Sequence, residues 1–157
     1  MTYRISEAAA KMGVASSTLR FYDKHGLLPF VQRDQHGNRI FTDNDLNYLE
    51  VITALKNSGV HVDTIAEFIQ LNMQGDATLS DRYAYLKDEG TRLEAHIHTL
   101  QTQLAFLKFK QWYYETAIDA GTEAIHFKTG TTDFDPNTKQ KYLETHPQET
   151  LFQAFLD

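Results

Sequence analysis

Ser16-Ser17-Thr18-Leu19-Arg20-Phe21-Tyr22-Asp23-Lys24-His25-Gly26-Leu27-Leu28-Pro29 is the stretch on which the reading of this chain turns. Ser16 offers a hydroxyl to cap a helix, Thr18 to His25 continue helically, and Gly26 stops the run. Just upstream, Ser6 is positioned to cap a helix through about Met12, built on the strong formers Ala8, Ala9 and Ala10 and ended by Gly13. Two short helices, near residues 6–12 and 16–25, joined by a glycine-containing turn are a helix-turn-helix pattern. In the second of them, Ser17, Arg20, Phe21 and Lys24 fall on one face at helical spacing.

Downstream, Leu27-Leu28-Pro29-Phe30-Val31 reads as an extended entry. Arg33-Asp34-Gln35-His36-Gly37-Asn38 reads as a turn-rich tip and Arg39-Ile40-Phe41 as a returning strand. The whole is a hairpin wing with two arginines and His36 around its tip, either a solvated loop or a wing laid along phosphates. Thr42-Asp43-Asn44-Asp45 resembles a capping box with carboxylates at the positive end of a helix. In that helix Leu46, Leu49, Ile52 and Leu55 recur every three residues until Gly59. Asp63 is placed to cap a further helix with Ile65, Phe68, Ile69 and Leu71 on its apolar face, and Gly75-Asp76 breaks it.

The strongest periodicity follows. Leu79, Leu86, Leu93, Leu100 and Leu107 lie seven residues apart, and Tyr114 continues the series. With these as d positions, Tyr83, Gly90, Ile97, Leu104, Gln111 and Ile118 occupy a, a coiled-coil signature that is weakest near Gly90. The sequence holds no second heptad segment to cover this seam, so it predicts a homodimer through Leu79, Leu86, Leu93, Ile97, Leu100, Leu104 and Leu107. After Ile118 the pattern fails. Residues 120–141 read as loop, and Pro147 opens a short amphipathic helix carrying Leu151, Phe152, Phe155 and Leu156. The expected fold class is mainly α: a winged helix-turn-helix head with a small β-hairpin (1–75), a long dimerisation helix (76–118) and a tail (119–157).

Composition agrees with a folded DNA-binding chain. Its 157 residues are 41% hydrophobic and 23% charged, within the globular range. No apolar run approaches the roughly 20 residues that span a bilayer, and Met1 to Glu7 lacks a signal-peptide stretch, so a soluble, cytoplasmic protein is expected without membrane partners. The net charge of −6 is unevenly spread: residues 1–41 carry six basic side chains against three acidic ones. A basic head on an acidic body fits nucleic-acid binding. With no cysteine anywhere, disulfides, thiolate metal sites and thiol sensing are excluded.

These residues resemble the MerR family of bacterial regulators. The resemblance is carried by Ile5-Ser6-Glu7-Ala8-Ala9, Gly13-Val14, Thr18 to Lys24, Gly26-Leu27-Leu28-Pro29, Arg33, Gly37 to Thr42 and Asp45-Leu46, and it runs ungapped over residues 3–71. It implies a homodimer held by an antiparallel coiled coil, each head reading half of an inverted repeat in double-stranded DNA and distorting a promoter for RNA polymerase. It places Ser16, Ser17, Thr18, Arg20, Phe21 and Lys24 of the second helix against DNA, with Arg20 at a guanine edge or a phosphate. Arg33, His36, Arg39, Phe41 and Lys56 join them as backbone contacts. Tyr22 either donates its hydroxyl to a phosphate or packs inside. Departures lie at Ala15, Ser17, Asn38 and Phe41, where the family favours a hydroxyl, a basic residue, an aromatic and tyrosine. Some short members sense electrophiles through one cysteine in the third helix; Ala54 stands there, expected on an apolar face with Ile52 and Leu55.

Phe109, Trp112 and Tyr113, with Phe106 and Tyr114 nearby, offer two readings: a pocket for a noncovalent small-molecule effector, or a surface that packs the tail. His96 and His98, two apart on a helix, point to different faces, and no metal or other cofactor is expected. No nucleophile sits beside a recognisable base and no glycine-rich phosphate loop appears, so an enzyme is not expected. Two alternatives remain: an excisionase-like DNA architect, against which the heptad arm argues, and a coiled-coil protein-interaction module with an inactive head.

Overall fold

Phe41 points inward from the centre of a three-stranded antiparallel sheet and is fully buried, so the wing is anchored in the core at its root. The computed structural model describes residues 1–156. In the sheet, β3 (Arg39–Thr42) pairs on one side with β2 (Gln32–Arg33), Arg33 opposite Arg39. On the other side it pairs with β1 (Thr2–Arg4), Tyr3 opposite Phe41. The sequence reading had assigned β1 no structure. Three residues are too few to show alternation, and β1 exists only because β3 offers it an edge.

The hairpin tip is closed by Asp34. Its Oδ1 accepts the backbone N–H groups of His36 (2.9 Å) and Asn38 (2.8 Å), and its Oδ2 accepts from the Asn38 amide (3.1 Å). These bonds, Asn38's first, hold the Asp34 carboxyl below its ordinary range. Gly37 supplies the positive φ of +80° that the turn requires.

The helix α1 (Ile5–Met12) starts two residues earlier than a Ser6 cap would set it, with Arg4 at the N-cap; the Glu7 carboxylate accepts the Arg4 N–H at 2.7 Å. Its end follows the glycine expectation, with Gly13 left-handed and the Val14 N–H bonded to Ala9 O at 3.0 Å. The second helix, α2 (Ser16–Lys24), also departs from its expected cap: Ala15 stands at the N-cap with no side-chain acceptor, and Ser16 is already helical. At α3 (Asp43–Asn57) the capping box forms as read, Thr42 Oγ1 accepting from Asp45 N–H (3.2 Å) and Asp45 accepting from Thr42 N–H (2.7 Å). Leu49, Ile52 and Leu55 are buried along α3, but Ala54 is exposed, which corrects the expectation that it shares their apolar face. Ala54 stands one residue before Leu55, a rotation of about 100° off the i, i+3 stripe, enough to turn a side chain to solvent. His61 rather than Asp63 caps α4 (Val62–Met73).

Helices α1 to α4 and the sheet enclose one core, including Ala8, Leu19, Leu27, Leu49, Ile52, Ile65 and Ile69. A 3-10 turn (Gly75–Thr78) then leads into α5 (Leu79–Ala120), one unbroken helix of 42 residues. Its first turns belong to the head: Tyr85 stacks on Phe68 at 4.9 Å and donates its hydroxyl to Thr64 O at 3.1 Å. The chain accordingly forms two compact units, residues 1–91 and residues from Arg92 onward, with the division inside α5.

In the second unit α5 has two apolar faces. Leu100, Leu104 and Leu107 are 50–57% exposed, so the heptad seam is uncovered within one chain. Ala105, Phe109, Tyr113 and Ala117, four residues apart, are buried. The tail packs there, which corrects the expectation of a loop over 120–141: it forms a 3-10 turn (Glu123–His126), a Phe127–Phe134 bridge and α6 (Asn137–Thr145). The helix expected after Pro147 is a 3-10 segment (Thr150–Phe155), and it docks on α5 of its own chain. Phe152 lies 4.7 Å from Phe109, and Lys108 pairs with Glu149 at 2.7 Å.

Candidate nucleic-acid interface

Nine residues of α2 divide cleanly by burial. Leu19 and Tyr22 face the core at 1% and 4% exposure, while Ser17, Arg20, Phe21 and Lys24 are exposed and Ser16 and Thr18 lie between. The helical spacing that grouped 17, 20, 21 and 24 is therefore the spacing of the outward face. The Tyr22 ring packs in the core. Phe21 rests its ring on His25, 4.2 Å between centroids, and keeps an apolar surface beside the basic residues.

The wing is locked to the end of this helix by one carboxylate. Asp23 Oδ2 accepts from Arg33 Nη2 at 2.8 Å and from Arg39 Nε at 2.9 Å, with a further close contact to Arg39 Nη2. Arg33 also donates to Gly37 O at 3.2 Å, spanning the hairpin tip. An acid in the last turn of a helix is disfavoured by the helix dipole. Two guanidinium groups, one of them largely buried, offset that cost and leave the trio with a net positive charge. Sequence reasoning had assigned Arg33 and Arg39 to phosphates and missed Asp23. The signal was there, since a carboxylate at that end of a helix calls for a cationic partner. Asp23→Ala should loosen the wing while the helices stay intact. Hydrogen exchange of the β2 and β3 amides is expected to speed up about tenfold, the lower end for losing charge-assisted hydrogen bonds worth roughly 1.5–3 kcal/mol. Unchanged exchange would remove the clamp.

The remaining candidates separate in the same way. His36 is exposed at the tip beside Gln35, and Lys56 is exposed in the last turn of α3. Phe41, named from the sequence as a backbone contact, is completely buried, so its side chain supports β3 from behind and cannot reach DNA. A strand of four residues bordered by polar neighbours does not announce which face is inward.

The aromatic end of α5 forms a packed core instead of an open pocket. Phe109 and Tyr113 are 2% and 4% exposed, and Trp112 lies 5.4 Å from Tyr142. Burial, then the Glu123 carboxylate accepting its hydroxyl at 3.2 Å, raises the Tyr113 phenol above its ordinary value. Burial does the same for Tyr142. His126 stacks on Tyr113 at 4.1 Å, and its Nε2–H donates to Tyr113 O at 2.9 Å. The tail therefore packs on these aromatics, the second of the two readings that the sequence offers for Phe109, Trp112 and Tyr113.

Comparison with known proteins agrees with this geometry. Residues 3–71 match the MerR HTH family of regulatory proteins. An HTH-type transcriptional regulator of Haemophilus influenzae, itself uncharacterised, is 39% identical over 122 residues, covering 78% of this chain and 90% of that protein. HiNmlR, a MerR-family regulator that lacks the sensor domain and whose crystal structure holds promoter DNA, superposes with a TM-score of 0.70 at 38% identity. The superposition covers 80% of this chain and 99% of HiNmlR. A MerR-family transcriptional regulator from Bacillus thuringiensis superposes with a TM-score of 0.65 at 36% identity, over 70% of this chain and 96% of that one.

Proposed function

The chain belongs to the MerR family of transcriptional regulators, and from that premise we propose that it binds an inverted-repeat promoter operator as a homodimer. The observation that carries the reading is the exposed face Ser17, Arg20, Phe21 and Lys24 beside a wing held in place by Asp23. A helix with exposed basic side chains fits the major groove, and a wing fits the adjoining backbone. HiNmlR, over the matched length, is a regulator seen on promoter DNA, which supports the same task here.

The dimer rests on the uncovered seam of α5. An antiparallel coiled coil would bury Leu93, Ile97, Leu100, Leu104 and Leu107 and set the two heads at a fixed spacing. Binding of a site whose natural geometry differs then bends or untwists the DNA, at a deformation cost of order 1–6 kcal/mol that depends on sequence. RNA polymerase is affected through the reshaped promoter. With no cysteine, this chain offers no thiol of its own for an electrophile to modify. A noncovalent effector would have to displace the tail from Phe109 and Tyr113.

Sequencing the genomic DNA retained by the purified protein tests the proposal: enrichment of an inverted repeat upstream of genes supports it, and enrichment of no shared sequence refutes it. Arg20→Ala is expected to weaken binding to the selected site by about 1–3 kcal/mol, with relaxed preference at one base pair per half-site if Arg20 reads a guanine edge. Equal affinities for the wild type and the variant in a titration would take Arg20 out of the interface.

A further inference from the structure

We propose that Arg4 is a DNA-backbone contact, and that the cleft it lines between α1, α2 and the wing tip holds one phosphodiester group. The proposal rests on the reading of the chain as a DNA-binding regulator and adds a contact residue outside the second helix and the wing.

The cleft measures about 320 Å³ and is lined by Arg4, Ser6, Arg20, Asn38 and Arg39, together with the backbone at Ile5 and Gly37. Three arginines and no acidic residue line it, in a chain whose net charge is −6. Arg39 is held by Asp23, which does not line the cleft, and because Asp23 also takes Arg33, one positive charge of that trio remains uncompensated. Arg4 and Arg20 are exposed, and among the described residues neither guanidinium has a salt-bridge partner. Exposed, unpaired arginines around an acid-free cleft favour an oxyanion, and the planar fork suits a phosphate bidentately.

Glu7 and Asp34 line the adjoining cleft with Tyr3, and Arg4 contributes a small part of the field that keeps Asp34 ionised. Arg4 thus borders an acid-bearing cleft and an acid-free one, as do Asn38 and Arg39, and only the second shares Arg20 with the outward face of α2. A phosphate seated there would lie beside the groove that α2 enters. A single strand's backbone passing this point would tie together the start of α1, the recognition face and the wing tip.

The test is Arg4→Gln, with Arg4→Lys alongside, on a duplex carrying the selected operator and on a scrambled duplex of the same length, each titrated between about 50 and 200 mM salt. A phosphate contact predicts that Arg4→Gln lowers affinity for both duplexes by the same factor, on the order of three- to tenfold. It also predicts that the slope of log K against log salt flattens by about one unit, with the slope restored in Arg4→Lys. Circular dichroism should be unchanged, because the Arg4 bond that starts α1 is made by its backbone N–H. Wild-type affinity and slope in Arg4→Gln would overturn the proposal while leaving operator binding standing. A loss confined to the operator would overturn the phosphate assignment, and a wild-type protein that binds neither duplex would overturn both this site and the reading beneath it.

Discussion

Leu100→Lys is expected to convert the protein from a dimer to a monomer and to lower operator affinity at least a hundredfold. Leu100 is half exposed in the single chain and sits in register with Leu93 and Leu107 on one stripe of α5. In a coiled coil that stripe is the interface, so the substitution exchanges a leucine knob for an ammonium group with no partner. Leaving a buried charge uncompensated costs about 3–5 kcal/mol, which corresponds to roughly two to three and a half orders of magnitude in association. Operator binding falls with it, because two heads on one molecule engage the second half-site intramolecularly and separated heads do not. Leu107→Lys should behave alike, whereas Tyr114, at the ragged end of the register, should tolerate change better. Sedimentation velocity is the measurement. A dimer that persists in both leucine variants would mean that the chains associate through another surface.

Phe152→Ala is expected to release the tail from α5 without touching the head. Phe152 is fully buried, with ring centroids 4.7 Å from Phe109 and 5.0 Å from Tyr142. Truncating a buried phenylalanine costs about 3–5 kcal/mol in lost transfer energy and the cavity left behind. The tail is small: besides the aromatic cluster, its hold on α5 includes the Lys108–Glu149 pair, with a half-exposed lysine, and the Tyr113–Glu123 and His126 hydrogen bonds. A loss of this size is a large share of what a unit of that extent has to spare. Trp112 reports the change, since its indole packs against Tyr142 and His126 and its emission should shift to the red as water enters. Limited proteolysis should open sites around Lys139 and Lys141, while sedimentation still finds a dimer. Emission and proteolysis identical to wild type would show that the cluster adds nothing to tail docking.

Much of the head was legible because its signals are local. A glycine that must take a positive φ ends α1, an Asp34-centred turn closes the wing, and Thr42 with Asp45 starts α3; each involves residues at most four apart. The seam of α5 was legible for the same reason, as a repeat written directly in the order of the leucines. The misread helix starts were local too, but degenerate: serines stand at 6 and 16, yet the chain caps α1 from Glu7 and begins α2 without a side-chain cap. Propensity there is worth about a kilocalorie, and packing of Ala8, Ala9 and Leu19 outweighs it.

What the order of residues determined by itself, then, was which segments of the head and of α5 are helical, which face of α2 carries Arg20 and Lys24, and that α5 presents an unpartnered apolar stripe. Tertiary structure alone decided the rest. Tyr22 and Phe41 turn inward because the core of α1, α3 and α4 lies behind them, which no period of two or four within their own short elements specifies. Arg33 and Arg39 meet Asp23 across 10 and 16 residues only once the hairpin folds back over α2. The tail closes on Phe109 and Tyr113 because α5 has a second apolar stripe, four residues apart, that the heptad leucines overshadow in the sequence. Local hydrogen bonds and periodicity act between neighbours in the chain, whereas burial is a property of which distant surface arrives, and that is settled only when the elements pack.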